Sequence, residues 1–289
     1  MLKLGLLWLC LFSANSGFTN TPFEGRFDQL GSASAYQPAI ERAREYIQVL
    51  LDSGAPGVSI AVGVGGEIVW AQGFGYADIE NQVPVTSLTK FRVGSVSKSM
   101  TSIAMARLYE QGKLDLDAPI QKYLPQFPIK EAGIVTLRLL ASHRAGVRHY
   151  RIDGSDNFVT THYDDVVDAL EIFSADPLIL RPEERFSYSS HGYNLISAVI
   201  QEASGRKFLE IMRNEVWAPL NLTETVADHT DYVIQNRAAP YTRRASGQIR
   251  NAPFVDNSYK WAGGGFLSTP SDLVRFGFGF LARAVETRL

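Results

Sequence analysis

The chain has 289 residues, 45% hydrophobic and 20% charged, enough to bury a sizeable core as one large domain or two interleaved ones. A formal net charge of −2 with scattered basic residues gives no electrostatic footprint for a nucleic acid partner. Cys10 is the only cysteine, so a mature chain lacking it has no disulfide, cysteine nucleophile or thiolate metal site.

Residues 1–16 read as a secretory signal peptide: Lys3, an apolar run over 4–12, and the small residues Ala14-Asn15-Ser16 before Gly17. The run is too short to span a bilayer, and nothing later approaches ~20 apolar residues. The expected address is secreted or periplasmic, or membrane-anchored if the run is retained. Residues 17–35 read as a flexible N-terminal segment. The spacing of Ile40, Ala43, Ile47, Leu50 and Leu51 predicts an amphipathic helix over 38–51, closed by Ser53-Gly54. Strand patterns over 57–64 and 67–72, joined by Gly65-Gly66, predict a hairpin.

A loop over 81–89 then leads to Phe91-Arg92-Val93-Gly94-Ser95-Val96-Ser97-Lys98. After Gly94 the spacing becomes helical, with Met100, Ile103, Ala104 and Leu108 on one stripe and Gly112 where a C-cap belongs. Ser95 falls at the helix N-terminus and Lys98 one turn later. A serine hydroxyl needs a proton acceptor within hydrogen-bond reach to become a nucleophile. A lysine in an apolar pocket can be that acceptor once its pKa falls. Spacing alone leaves this level with an N-cap serine beside a solvated lysine. A second Ser-x-x-Lys, Ser87 to Lys90, opens no amphipathic helix and reads as a loop coincidence.

Further on, the patterns predict an irregular crossing over 116–127 and a short helix over 136–142 ending at His143. Helices over 163–173, 190–203 and 208–217 follow, then a flexible joint at Gly263-Gly264-Gly265 and a last helix from Ser271 through Leu273 and Phe276. The glycines are not followed by Gly-Lys-Ser/Thr, and the histidines lack metal-ligand spacing, so no cofactor is implied. His143 reads as a hydrogen-bonded histidine rather than a catalytic base. Tyr188, on the loop feeding the 190–203 helix, could serve as a proton shuttle if a cationic Lys98 favoured its phenolate. Its residues alone favour core packing, with Ser189 or Ser190 as a cap.

The order of several further runs changes that balance: Pro56 to Val62, Gly73 to Asp78, Gly112 to Asp117, Tyr123-Leu124-Pro125, Leu139 to His143 and Ala262 to Thr269. With the Ser95 motif they resemble the serine β-lactamase-like family of class C β-lactamases, D-Ala-D-Ala carboxypeptidases and related esterases, over residues 55–276. Gly146-Val147-Arg148-His149-Tyr150 points towards its LACTB-type serine peptidases. The resemblance implies an α/β plus α fold of the β-lactamase/transpeptidase type. A sheet-lobe part over 36–94 precedes a mainly helical lobe over 95–262, and the chain starts back to the sheet lobe over 263–289. It implies catalytic Ser95, Lys98 and Tyr188, with Ser190, Gly264 and Gly265 binding substrate. Ser190 stands where most relatives of the Tyr-x-Asn motif carry asparagine, a change of specificity. The family's third motif, Lys/His-x-Gly, has no counterpart because no lysine or histidine follows Lys260. The sheet lobe is therefore expected to be C-terminally truncated, with the 57–72 hairpin poorly covered. The expected function is an exported serine hydrolase forming an acyl-enzyme with a peptide, ester or peptidoglycan-like substrate. The rivals are a catalytically impaired homologue acting as a binding or structural protein, or a β-lactamase.

Overall fold

A computed structural model of the chain describes residues 33–286, so the expected signal peptide and residues 17–32 lie outside the described residues. Helix α1 (Gln37–Asp52) starts with Pro38 in its first turn, where a missing N–H costs nothing, and buries Ile40 and Ile47. It packs on the antiparallel hairpin of β1 (Gly57–Val64) and β2 (Glu67–Asp78), whose register runs from Gly57↔Gly75 to Val64↔Glu67. Val58, Ile60 and Trp70 meet α1. Strand β2 runs six residues past its expected end. There Tyr76 N–H donates to the Pro56 carbonyl (2.8 Å), while the Gly75 carbonyl accepts from Val85 (2.9 Å), beside the short β3 (Val83–Pro84).

Short strands β4 (Phe91–Arg92), β5 (Val226–Ala227) and β8 (Phe266–Ser268) form a second sheet in the order β4-β8-β5. Strands β6 (Tyr241–Arg243) and β7 (Ile249–Asn251) pair as a small hairpin. Runs of two or three residues are too short to show a period of two in a sequence. The final helix, α7 (Pro270–Glu286), lies against β1: a Cβ on Gly63 would stand 2.3 Å from the Phe278 ring. Ala61, Val69 and Ala71 are buried as well, so the faces of the hairpin are covered, while β1 remains the outer strand of the order β1-β2-β3, as the expected exposed edge.

The helical region centres on α2 (Val96–Glu110) and α4 (Ser190–Ser204). Met100, Ala104 and Leu108 of α2 pack with Leu195, Ile196, Val199 and Ile200 of α4 in the main core. Helix α2 ends as its sequence indicates, with Gly112 at φ +70° just past the last turn. Helix α4 is buried through all of Ser190–Gln201, and Ser189 caps it by accepting from Gly192 N–H (2.9 Å). Around this pair stand α3 (Leu137–Ala141), capped by Thr136, α5 (Phe208–Ile211) with its π-turn Met212–Trp217, and α6 (Trp261–Gly264).

The helix expected over 163–173 is only a 3-10 turn, Asp168–Ile172. Asp165 accepts from Val167 N–H (2.9 Å) and Gln201 Nε2 (2.7 Å), and Tyr163 N–H goes to Ser258 Oγ (2.8 Å). These side-chain partners compete with a helical ladder. The expected flexible joint at 263–265 is a tightly packed turn: a Cβ on Gly265 would stand 2.8 Å from the Asn257 carbonyl and the Trp261 Cα.

Candidate active site

The packing of α2, α4 and α6 brings three chain segments to one point. Ser95 is the residue before α2, but its hydroxyl makes no capping bond. It lies 2.7 Å from Tyr188 OH and accepts from Lys98 Nζ at 3.1 Å. Lys98 is only 5% exposed, so the alternative of a solvated first-turn lysine does not apply. Its Nζ also donates to Ser190 Oγ (3.0 Å) and to the Gly263 carbonyl (2.5 Å).

Three acceptors match the three N–H bonds of an ammonium. A neutral amine has two N–H bonds and one lone pair. Gly263 offers only a carbonyl and must keep its N–H. If Ser190 Oγ keeps the other, the lone pair faces the Ser95 hydroxyl. Burial lowers the Lys98 pKa, and the Tyr188 hydroxyl partly opposes that. Burial disfavours the Tyr188 phenolate, yet Lys98 and Ser95 outweigh it and hold the phenol below its usual value. Lys98 Nζ lies 5.0 Å from the Tyr188 ring centroid, within cation–π range.

Ser95, Lys98, Tyr188 and Ser190 are thus one hydrogen-bonded cluster. Of the glycines, it is Gly263 whose carbonyl reaches Lys98. Gly264 rests behind the Gly94 backbone, where a Cβ would lie 3.6 Å from the Gly94 carbonyl carbon. Gly265 faces Asn257 and Trp261, and its carbonyl accepts from Asp228 N–H. The second Ser-x-x-Lys is structural, since Lys90 is buried and bonds Glu224 (2.5 Å) and the Gln235 carbonyl (3.3 Å).

Several further groups pack around this cluster, and of these sequence reasoning gave a role to His143 alone, as a hydrogen-bonded histidine. Arg148 bonds Asp176 (2.6 Å), Asp156 and the carbonyls of His149 and Ile172, tying the loop before α4 together. His191 donates its Nε2–H to that Asp156 carboxylate (3.2 Å), and burial pushes its pKa down to about 4. His143 and His149 flank Tyr188, with ring centroids 4.5 and 5.3 Å away. Lys260 lies over the Tyr259 ring (4.9 Å), and burial, then the Arg92 charge, lower it to about 8. The Gly146 to Tyr150 run contains Arg148 and His149, but it marked a resemblance and no chemistry.

This fold and this serine–lysine–tyrosine cluster are those of the β-lactamase-like class. The chain belongs to the Beta-lactamase family, whose profile matches residues 40–288. It is 35% identical over 323 residues to the mouse (Mus musculus) serine beta-lactamase-like protein LACTB, mitochondrial, covering 86% of this chain and 58% of the relative. The chain therefore spans somewhat over half the length of that relative. Among solved structures, FmtA from Staphylococcus aureus superposes with a TM-score of 0.75 at 21% identity, covering 91% of this chain and 70% of that one. The D-amino acid amidase from Ochrobactrum anthropi SV3, solved with D-phenylalanine, gives a TM-score of 0.69 at 27% identity, covering 84% and 70%.

Proposed function

We propose that this chain carries the nucleophile and proton-transfer groups of a serine hydrolase that cleaves an amide or ester through an acyl-enzyme. The observation that carries this reading is the Ser95 hydroxyl held between buried Lys98 Nζ (3.1 Å) and Tyr188 OH (2.7 Å). Neutral Lys98 takes the Ser95 proton as Oγ bonds to the carbonyl carbon, and the carbonyl electrons move onto oxygen. When they return, the bond to the amine or alcohol breaks. That group leaves with a proton delivered from Lys98 by way of Tyr188. Water then attacks the acyl ester, gives its proton to the same pair, and Ser95 recovers its hydrogen. The positive end of α2 favours negative charge on Ser95 Oγ.

The likeness to a D-amino acid amidase supports a small amide substrate, of peptide or D-amino-acid type. Ser190 supports a narrower inference: a hydroxyl beside Lys98 presents a shorter polar group than an asparagine amide would. The test is intact mass after treating the purified chain with a fluorophosphonate. One adduct is expected on the wild-type chain and none on Ser95→Ala. A folded wild-type chain, by circular dichroism, that takes no adduct would overturn the reading.

A further inference from the structure

The loop that presents Tyr188 is held by two histidines. His143, on a turn with φ +57°, accepts twice from it: its carbonyl from Ser187 N–H (2.8 Å) and its Nδ1 from Ser189 N–H (3.1 Å). His149 Nδ1 accepts from the next amide, Ser190 N–H (3.2 Å). Tyr188 is the residue between these anchors, and both imidazole rings lie against its ring. A positive φ at a non-glycine residue is unfavourable and persists only where the surroundings hold it. A nitrogen that accepts from a backbone N–H carries no proton, so both rings are neutral with the proton on Nε2.

We propose that His143 and His149 are positioning residues that hold Tyr188 within reach of Ser95, and that protonation of either imidazole releases it. A protonated Nδ1 would point N–H at N–H, losing the anchor. It would also add a cation to a site that already holds Lys98. The groups facing His143 are Lys98, His149, Tyr188 and Tyr193. Those facing His149 are Lys98, Asp156, Tyr150, Tyr188 and His191. Burial first and the Lys98 charge second lower both histidines from 6.5; for His149, Asp156 opposes in part. The neutral pair therefore persists through neutral pH and fails on the acid side. This switch rests on the proposed acylation of Ser95, but the clamp itself does not.

The experiment is the pH dependence of fluorophosphonate acylation of the full chain, with His143 and His149 replaced singly by alanine, and singly and together by asparagine. Asparagine places an oxygen acceptor where Nδ1 stood and does not titrate near these pH values. Below about pH 6.5, the wild-type rate should fall more steeply than the one-proton slope set by Lys98. The asparagine variants should stay within about threefold of wild type at pH 8; each single variant should fall less steeply than wild type on the acid side, and the double variant should follow the one-proton slope. The alanine variants should lose about tenfold or more at pH 8, the scale expected when an active group is misplaced. Alanine variants that react at the wild-type rate, or a double asparagine variant that keeps the wild-type steepness, would overturn the proposal. A second readout is the amide resonances of Ser189 and Ser190, which should titrate together with the two imidazoles below 6.5. If wild-type Ser95 takes no adduct, the hydrolase reading falls while these amides still decide the clamp. Amides that do not move with the imidazoles would end it.

Discussion

At the scale of single residues, Lys98 sets what the site can do. Its three partners describe an ammonium, whereas proton abstraction needs the amine, so the reactive form appears as pH rises through the lowered Lys98 pKa. Acylation of Ser95 should rise with pH towards a plateau whose midpoint lies below 10.5. Lys98→Arg, which keeps the cation and never deprotonates, should flatten that rise and reduce the rate by about 10²-fold or more. A rate profile unchanged by arginine would remove Lys98 from the proton path. The same shift has a stability sign. The unfolded chain holds this proton up to about 10.5 and the folded chain releases it earlier, so stability gains from Lys98 as pH climbs between the two values.

At the scale of elements, local pattern and tertiary demand separate cleanly. Helix α2 and strand β1 were legible because their periods of 3.6 and 2 run over eight or more residues and are followed by glycines, whereas β2 was read only over its first six residues. Ser95 and Lys98 were legible as a spaced pair, and Tyr188 and Ser190 only through the resemblance. The Gly263 carbonyl was not, because a backbone oxygen leaves no mark in a sequence. The turn over 261–265 was misread for a related reason. Consecutive glycines signal freedom when seen alone, but here the missing Cβ atoms of Gly263 and Gly265 make room for neighbours. Substitution separates the two uses. Gly112→Ala meets no atom within 4 Å and carries only its positive φ, a cost of about 1–2 kcal/mol. Gly265→Ala drives a Cβ into two backbone atoms, so overpacking of about 1–3 kcal/mol or more is expected together with displacement of α6. Chemical denaturation should rank Gly265→Ala as the less stable, and adduct formation should survive in Gly112→Ala alone. Equal midpoints would contradict the packing described for α6.

At the scale of the whole molecule, the active cluster is local in one half and remote in the other. Lys98 is three residues from Ser95, but Tyr188 joins Ser95 across 93 positions, and the Gly263 carbonyl joins Lys98 across 165. Closing such loops must precede any reward from the contact, and folds rich in distant pairings form slowly. Competence for chemistry should therefore be the last property to emerge during refolding. After dilution from denaturant, helical signal should return first as α2 and α4 form, and fluorophosphonate reactivity should lag behind it. Reactivity returning in step with the helical signal would mean that the three segments assemble as one event. The reach of that Gly263 carbonyl makes Ser95 labelling a clock for the final docking of the 261–265 turn: a protein caught before that step would be ordered in its helices and chemically silent.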